Sequence, residues 1–157
     1  MKSWTDGAIL PLLDEQLTLR ILPAGIARVQ RVDNLLLAPA PLTPQSLANA
    51  LERWYRLQAH RHLTMRLRHW SEQMGVTVSR VTIRGQTTRW GSCSSRGSIN
   101  LNWQLMLLPG RLVDYVLVHE LCHRLEMNHS PAFWMRVGAV LPEYERLKTE
   151  LKKFRIG

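Results

Sequence analysis

Cysteine is scarce in this chain of 157 residues, and long apolar runs are missing altogether. The two cysteines, Cys93 and Cys122, lie far apart in the sequence, in a spacing that fits neither a disulfide framework nor a cysteine metal knuckle. No apolar stretch approaches the roughly 20 residues that a membrane-spanning helix needs. These absences argue against a disulfide-stapled scaffold and against a membrane protein.

The N-terminal residues lack the features of a secretion signal. Lys2 is followed by Asp6, with no apolar stretch or small-residue cleavage site after it. We therefore expect a cytoplasmic protein with reduced thiols. The length, with 45% hydrophobic and 21% charged residues, predicts a single domain over residues 1–157. The sequence leaves the oligomeric state open.

Lysine is also scarce: the chain has 17 arginines and only four lysines. Its formal net charge is +9. Such an excess could serve an anionic partner, either nucleic acid or a nucleotide. The basic residues are dispersed along the chain, however, and an arginine excess can also reflect the base composition of a genome. Both interpretations stay open at this point.

The first half of the sequence predicts a small sheet followed by a long helix. Apolar stretches at 16–21, 26–32 and 34–37 are separated by turn residues, which indicates an antiparallel β-meander. After a proline-rich link over 39–44, Thr43 is placed as a helix N-cap with Pro44 in the first turn. Apolar residues then recur every three or four positions until Gly75, which predicts one long helix.

The second half predicts further strands and then helices. Residues 76–84 alternate as a strand does, whereas 85–97 are too rich in glycine, serine and threonine for a core element and predict a loop or two irregular strands. Strict alternation over 98–103 predicts a strand with one solvent-exposed face that carries Asn100 and Asn102. From Arg111 the pattern is helical, with breaks at 128–129 and near Pro142. The fold class is therefore α+β.

The segment from His119 to His123 reads His-Glu-Leu-Cys-His. On a helix, side chains four residues apart lie on nearly the same face, so the two imidazoles can reach one metal ion. Zinc in a catalytic site takes three protein ligands and leaves a position for water, and Glu120 is placed to accept a proton from that water. The preceding residues are apolar nearly all round the helix, so buried histidines there need a partner such as a metal.

A third ligand is expected nearby, and His129 follows His123 by six residues. Ser130 and Pro131 predict the start of a new helix, which places His129 at a chain reversal close to the first two histidines. The alternative third ligand is a carboxylate, and Glu143 and Glu145 are the candidates. His60, His62 and His69 are far from this cluster in sequence and are interpreted as surface residues of the long helix.

Four blocks of the sequence resemble the YgjP-like metallopeptidase domain family. These blocks cover 89–94, 98–103, 116–123 and 128–134 and agree in order and spacing. The resemblance implies a zincin-like α+β domain related in its core to SprT-like proteins. It also implies that His119, His123 and His129 bind the metal and that Glu120 is catalytic. The expected ion is Zn²⁺, although imidazole ligands also accept ions such as Ni²⁺ in a purified sample.

Five residues near the motif are candidates for substrate binding. Arg89 and Arg96 could stabilise an oxyanion or a phosphate. Trp90 could form a lid, and Asn100 with Asn102 could pair with an extended substrate. Solvent exposure or ordinary ion pairing would explain the same residues without any role in binding.

Three functions remain open from the sequence. The first is a zinc metallopeptidase acting on peptides, with Glu120 as the general base. The second is a metal-dependent nucleotide pyrophosphatase or phosphohydrolase, which would use Arg89 and Arg96 to hold a small anionic substrate. The third is a non-catalytic, metal-stabilised module that binds nucleic acid, for which Glu120 has no obvious use.

Overall fold

The computed structural model describes residues 4–85 and 88–157. Seven strands form two sheets: β1 (Ile9–Leu12), β2 (Glu15–Leu22), β3 (Gln30–Val32), β4 (Leu35–Pro39), β5 (Arg80–Arg84), β6 (Gly91–Cys93) and β7 (Ser98–Asn102). The helices are α1 (Pro44–Met74), a 3₁₀-helix (Trp103–Leu107), α2 (Gly110–Cys122), α3 (Pro131–Val140) and α4 (Tyr144–Leu151). The predicted α+β class is confirmed.

The first sheet is mixed, so the predicted antiparallel meander is wrong. Its strand order is β1-β2-β4-β3, and β2 pairs with β4 in parallel. Burial explains this order, because Leu36 and Ala38 of β4 are fully buried whereas all three residues of β3 are exposed. The apolar strand therefore takes the central position and the polar strand takes the edge. Asp33, with φ of 54°, forms the turn between β3 and β4.

The long helix α1 begins and ends where the sequence predicts. The Thr43 side chain accepts a hydrogen bond from the backbone N–H of Ser46, and the Ser46 side chain accepts one from the backbone N–H of Thr43. At the other end Gly75 adopts φ of 67°, which favours glycine. Seven side chains of α1 are buried in the core: Leu47, Leu51, Trp54, Tyr55, Ala59, Leu63 and Leu67.

The second sheet has the order β5-β7-β6, with β5 parallel and β6 antiparallel to the central strand β7. The predicted solvent-exposed face of β7 is wrong for Asn102, which is fully buried. Its side chain accepts a hydrogen bond from the backbone of Gln104 at the start of the 3₁₀-helix and donates one to the carbonyl of Arg89. The asparagine therefore joins the strand to its flanking segments instead of facing water.

Helix α2 lies in the centre of the core. Nine of its residues are buried, and it contacts α1, α3, α4 and β6. The Arg66 guanidinium on α1 makes two hydrogen bonds to the Asp114 carboxylate on α2, which ties the two helices together. Since α2 is held on several sides, side chains near its C-terminal end have fixed positions. No helix in the described part of the chain is both long and apolar enough to cross a membrane.

Candidate metal centre

Helix α2 presents the first two histidines of the motif. His119 lies in its last turn, and His123 is the residue that caps its C-terminal end. The two rings are 5.2 Å apart between centroids. The four-residue spacing thus places both imidazoles on one side of the helix, as the sequence predicts.

A tight chain reversal brings the third histidine back to them. After α2, the backbone N–H groups of Leu125 and Glu126 both donate to the carbonyl of Cys122. Ser130 then caps α3 by accepting a hydrogen bond from the backbone of Phe133. Between these two fixed points, His129 Nε2 lies 3.1 Å from His119 Nε2.

The three histidines fit a metal ion. Each offers one ring nitrogen, and these nitrogens all lie within 4.8 Å of one another. Two imidazoles that share a tetrahedral zinc at about 2.0 to 2.1 Å have nitrogens about 3.3 Å apart, close to the separation seen for His119 and His129. Burial lowers the pKa of His119 to about 3 and also lowers the pKa of His123. Both rings are therefore neutral at neutral pH, as metal ligands must be.

A backbone carbonyl group, not a carboxylate side chain, orients one of the three histidines. His123 Nδ1 lies 3.1 Å from the carbonyl oxygen of Glu126, which leaves its Nε2 for the metal. The carboxylates of Asp114 and Glu126 are engaged elsewhere, with Arg66 and Arg136 respectively. His119 Nδ1 is buried and has no hydrogen-bond partner among the described residues.

Aromatic side chains of α3, Phe133 and Trp134, pack against the histidines. The Phe133 ring stacks on His123 at 4.6 Å, and the Trp134 ring stacks on His129 at 5.9 Å. These contacts pack α3 against the motif helix and shield one side of the site from water. Exclusion of water lowers the local dielectric constant and thereby strengthens electrostatic interactions inside the site.

Three further residues at the site were missed by the sequence analysis. The Tyr115 ring lies 6.0 Å from His119, one turn earlier on α2, and the four-residue spacing could have indicated it. Tyr144 stacks on Trp134 at 5.6 Å, and the Lys148 ammonium lies 4.0 Å from the centre of the Trp134 ring. Since Tyr144 and Lys148 come from α4, only the packing of that helix places them here.

Glu120 follows His119 on α2 and is buried, with 7% of its surface exposed. Burial raises the pKa of its carboxyl group to about 7, and the positive charge of Arg89 opposes that rise. A cation held by the histidines would also favour the charged carboxylate. Gly91 of β6 lies against the Glu120 side chain, where a Cβ atom would be 3.2 Å from Glu120 Cγ.

The alternative carboxylate ligands are placed elsewhere. Glu143 pairs with Arg146 at the surface, and Glu145 accepts a hydrogen bond from the hydroxyl of Tyr144. Within residues 4–85 and 88–157, only the three histidines of the motif region form a metal-binding group. The histidines of α1 lie outside it, and the half-buried His62 faces Asp114.

The five predicted substrate-binding residues are not all brought to this site. Arg89 is exposed and close enough to Glu120 to act on its pKa, whereas Trp90 lines a separate cavity of about 510 Å³. Arg96 lies in the turn before β7, and Asn100 is held by a hydrogen bond from Arg84. Asn102 is buried, so it faces no substrate. Residues 86–87 of the predicted loop segment 85–97 lie outside the part of the chain that the structure describes.

Comparison with a family model shows to which protein family the chain belongs. The model for the YgjP-like metallopeptidase domain matches residues 1–154 of this chain. The chain belongs to the YgjP-like metallopeptidase domain family. With this membership and the histidine cluster, this YgjP-like protein is a metal-dependent hydrolase of the metallopeptidase type. A search among curated proteins finds no match.

Two solved structures resemble the YgjP-like chain. The metallopeptidase zymogen abylysin of Pyrococcus abyssi is 26% identical, with a TM-score of 0.52 over 59% of this chain and 94% of that chain. The metallopeptidase zymogen jannalysin of Methanocaldococcus jannaschii is 16% identical, with a TM-score of 0.52 over 58% and 94%. The second similarity concerns the fold alone. Together they support the predicted zincin-like architecture.

Proposed function

We propose that the metal is zinc, that His119, His123 and His129 bind it, and that the reaction is hydrolysis of a peptide bond with Glu120 as the general base. The observation that carries the proposal is the group of three ring nitrogens within 4.8 Å of one another, two of them on the helix that also carries the buried Glu120. Three imidazoles are a known catalytic ligand set for zinc. A purely structural site has no need of an adjacent buried base.

The metal ion, Glu120 and the aromatic residues have different roles in the reaction. The chemistry that the ion supplies when bound is Lewis acidity, which lowers the pKa of a water molecule and polarises a carbonyl oxygen. Glu120 accepts one proton from the attacking water while the water oxygen bonds to the carbonyl carbon. The same carboxyl group then donates that proton to the amine nitrogen as the carbon–nitrogen bond breaks. Phe133 and Trp134 limit the access of bulk water to the histidines.

Replacement of Glu120 by glutamine tests the proposal. We expect Glu120→Gln to keep about one zinc per chain, measured by elemental analysis, and to cleave a quenched fluorescent peptide library at least about 100-fold more slowly than wild type. His129→Ala should lose both zinc and activity, whereas His60→Ala on the exposed side of α1 should lose neither. Unchanged peptide turnover in Glu120→Gln would refute the role of this residue.

A nucleotide pyrophosphate bond is the second candidate substrate. It is favoured by Arg89, whose guanidinium acts on Glu120 and could hold a phosphate group. The same variants should therefore be assayed on a nucleotide panel. Release of phosphate or pyrophosphate that requires zinc and Glu120, with no cleavage in the peptide library, would replace the peptidase proposal by this one.

A further inference from the structure

One segment without acidic residues carries more than half of the net positive charge of the chain. No aspartate or glutamate occurs between Glu72 and Asp114, although this segment contains five arginines. All three strands of the second sheet lie within it. The sheet therefore carries positive charge that no acidic residue of its own strands can neutralise.

One face of this sheet is polar and carries arginines. Along β5, Val81 and Ile83 pack against the core, so Arg80, Thr82 and Arg84 project from the opposite face. Arg80 and Arg84 are exposed. Two arginines thus stand at the two ends of one strand, with a threonine between them.

Hydrogen bonds across the three strands fix part of this face. Arg84 Nε donates to Asn100 Oδ1 at 2.9 Å, and Asn100 Nδ2 donates to Ser92 Oγ at 3.3 Å. The row positions the Arg84 guanidinium over the sheet and uses only one of its five N–H groups. The remaining donors are available to an external acceptor.

A groove borders the same strand. It lies between α1 and β5 and has a volume of about 470 Å³. Its polar lining consists of Arg68 and Arg80 with four hydroxyl-bearing residues, and its apolar lining of four residues; the hydroxyl-bearing ones are Thr64, Ser71, Thr77 and Ser79, and the apolar ones are Leu67, Val76, Val78 and Val81. Arg96 lies beside it, because its carbonyl accepts a hydrogen bond from the Ser79 hydroxyl. Arginine and hydroxyl side chains are the usual contacts to phosphate oxygens.

These arginines have no acidic partner in the part of the chain that the structure describes. Arg68, Arg80, Arg84 and Arg96 form no ion pair with any residue in 4–85 or 88–157. The large exposed apolar side chains of those residues all lie outside 66–124. The apolar residues that line the groove are buried or half-buried, so the surface lacks the large exposed apolar side chains that usually anchor a protein partner.

We propose that the face formed by Arg68, Arg80, Arg84 and Arg96 binds the sugar–phosphate backbone of nucleic acid without reading its base sequence. The guanidinium groups form charge-assisted hydrogen bonds to phosphates, and the hydroxyl groups of the groove add neutral ones. This surface uses none of the metal-binding histidines. It would hold the hydrolase on a polyanion whatever substrate the metal centre cleaves.

Titration of the metal-loaded protein into a fluorescein-labelled oligonucleotide, single-stranded or duplex, tests the proposal by fluorescence polarisation at several salt concentrations. We expect Arg80→Gln/Arg84→Gln to weaken binding about 10- to 30-fold at 0.15 M salt and to reduce the slope of log K against log salt by about 1.5, since two phosphate contacts are lost. Arg80→Lys/Arg84→Lys should retain most of the affinity, because lysine keeps the charge.

A charge-matched control tests whether binding depends on this face or only on the net charge of the protein. Arg28→Gln/Arg53→Gln removes two exposed arginines, one in the loop between β2 and β3 and one on α1 about 22 Å along the helix from Arg68. It should bind almost as wild type does. An equal loss in this control, no binding by wild type at 0.1 M salt, or tighter binding of polyglutamate than of the oligonucleotides would each overturn the proposal.

Discussion

At the scale of single residues, Gly91 has no side chain and therefore leaves space for the side chain of Glu120. A Cβ atom at position 91 would stand 3.2 Å from Glu120 Cγ, from the carbonyl oxygen of Asn100 and from Leu101 Cδ2. The backbone oxygen belongs to the paired strand β7, so it cannot move aside freely. A larger residue at this position would therefore have to displace its neighbours by a few tenths of an ångström, and the Glu120 side chain is one of them.

Gly91→Ala is expected to displace the Glu120 carboxyl group and to lower kcat/KM on the cleaved peptide by about 10- to 100-fold, because small misplacements of a catalytic group are costly. Zinc content should stay at the wild-type value. Ser92→Ala, which changes the other face of the same strand, is the control and should keep its activity. Wild-type kcat/KM in Gly91→Ala would show that the close approach is not required for catalysis.

At the scale of helices and strands, two capping residues do different work. Thr43 caps α1, far from the histidines, and Ser130 caps α3 directly after His129. Each accepts a hydrogen bond from a backbone N–H of the first turn. Loss of either cap is expected to destabilise its helix, but only the second cap borders one of the three clustered histidines.

Ser130→Ala should lower the free energy of unfolding by about 1 kcal/mol and also weaken zinc binding, since the chain reversal that carries His129 loses an anchor. Thr43→Ala should cost a similar amount of stability and leave zinc affinity unchanged. Urea denaturation of the metal-free proteins and competition with a chromophoric chelator measure the two quantities. Equal zinc affinities of the two variants would contradict a positioning role for Ser130.

At the scale of the whole molecule, the apolar core includes none of the three clustered histidines. Buried apolar residues from both sheets and all four α-helices form one cluster, and the Tyr55 hydroxyl donates to the carbonyl of Pro11 to join α1 to β1. The three histidines lie at the edge of this cluster, and His129 is exposed. The fold is therefore expected to survive removal of the ion.

Chelation of the metal should leave the far-UV circular dichroism and a cooperative melting transition intact. The Tm should fall by about 5 to 10 °C relative to protein with free zinc at about 100 times its Kd, because ligand binding stabilises only the folded state. His129→Ala should show no such shift. Unfolding on chelation would instead support the metal-stabilised module, in which the ion provides the folding free energy.

Features that depend on neighbouring residues could be predicted from the amino-acid sequence. The positions of His119 and His123 follow from the helical repeat, and the ends of α1 follow from Thr43 and Gly75. His129 is close to them in sequence, so a short reversal was enough to predict its place. These features depend on local backbone geometry, which a few adjacent residues specify.

Contacts between residues from distant segments of the chain could be seen only in the three-dimensional fold. It placed β4 between β2 and β3, buried Asn102 and brought Lys148 over the Trp134 ring. It also set Arg68 of α1 beside Arg80 of β5 along one groove. The physical reason is that burial and strand pairing depend on contacts between segments far apart in the chain, and alternation within one strand does not specify which element will cover it.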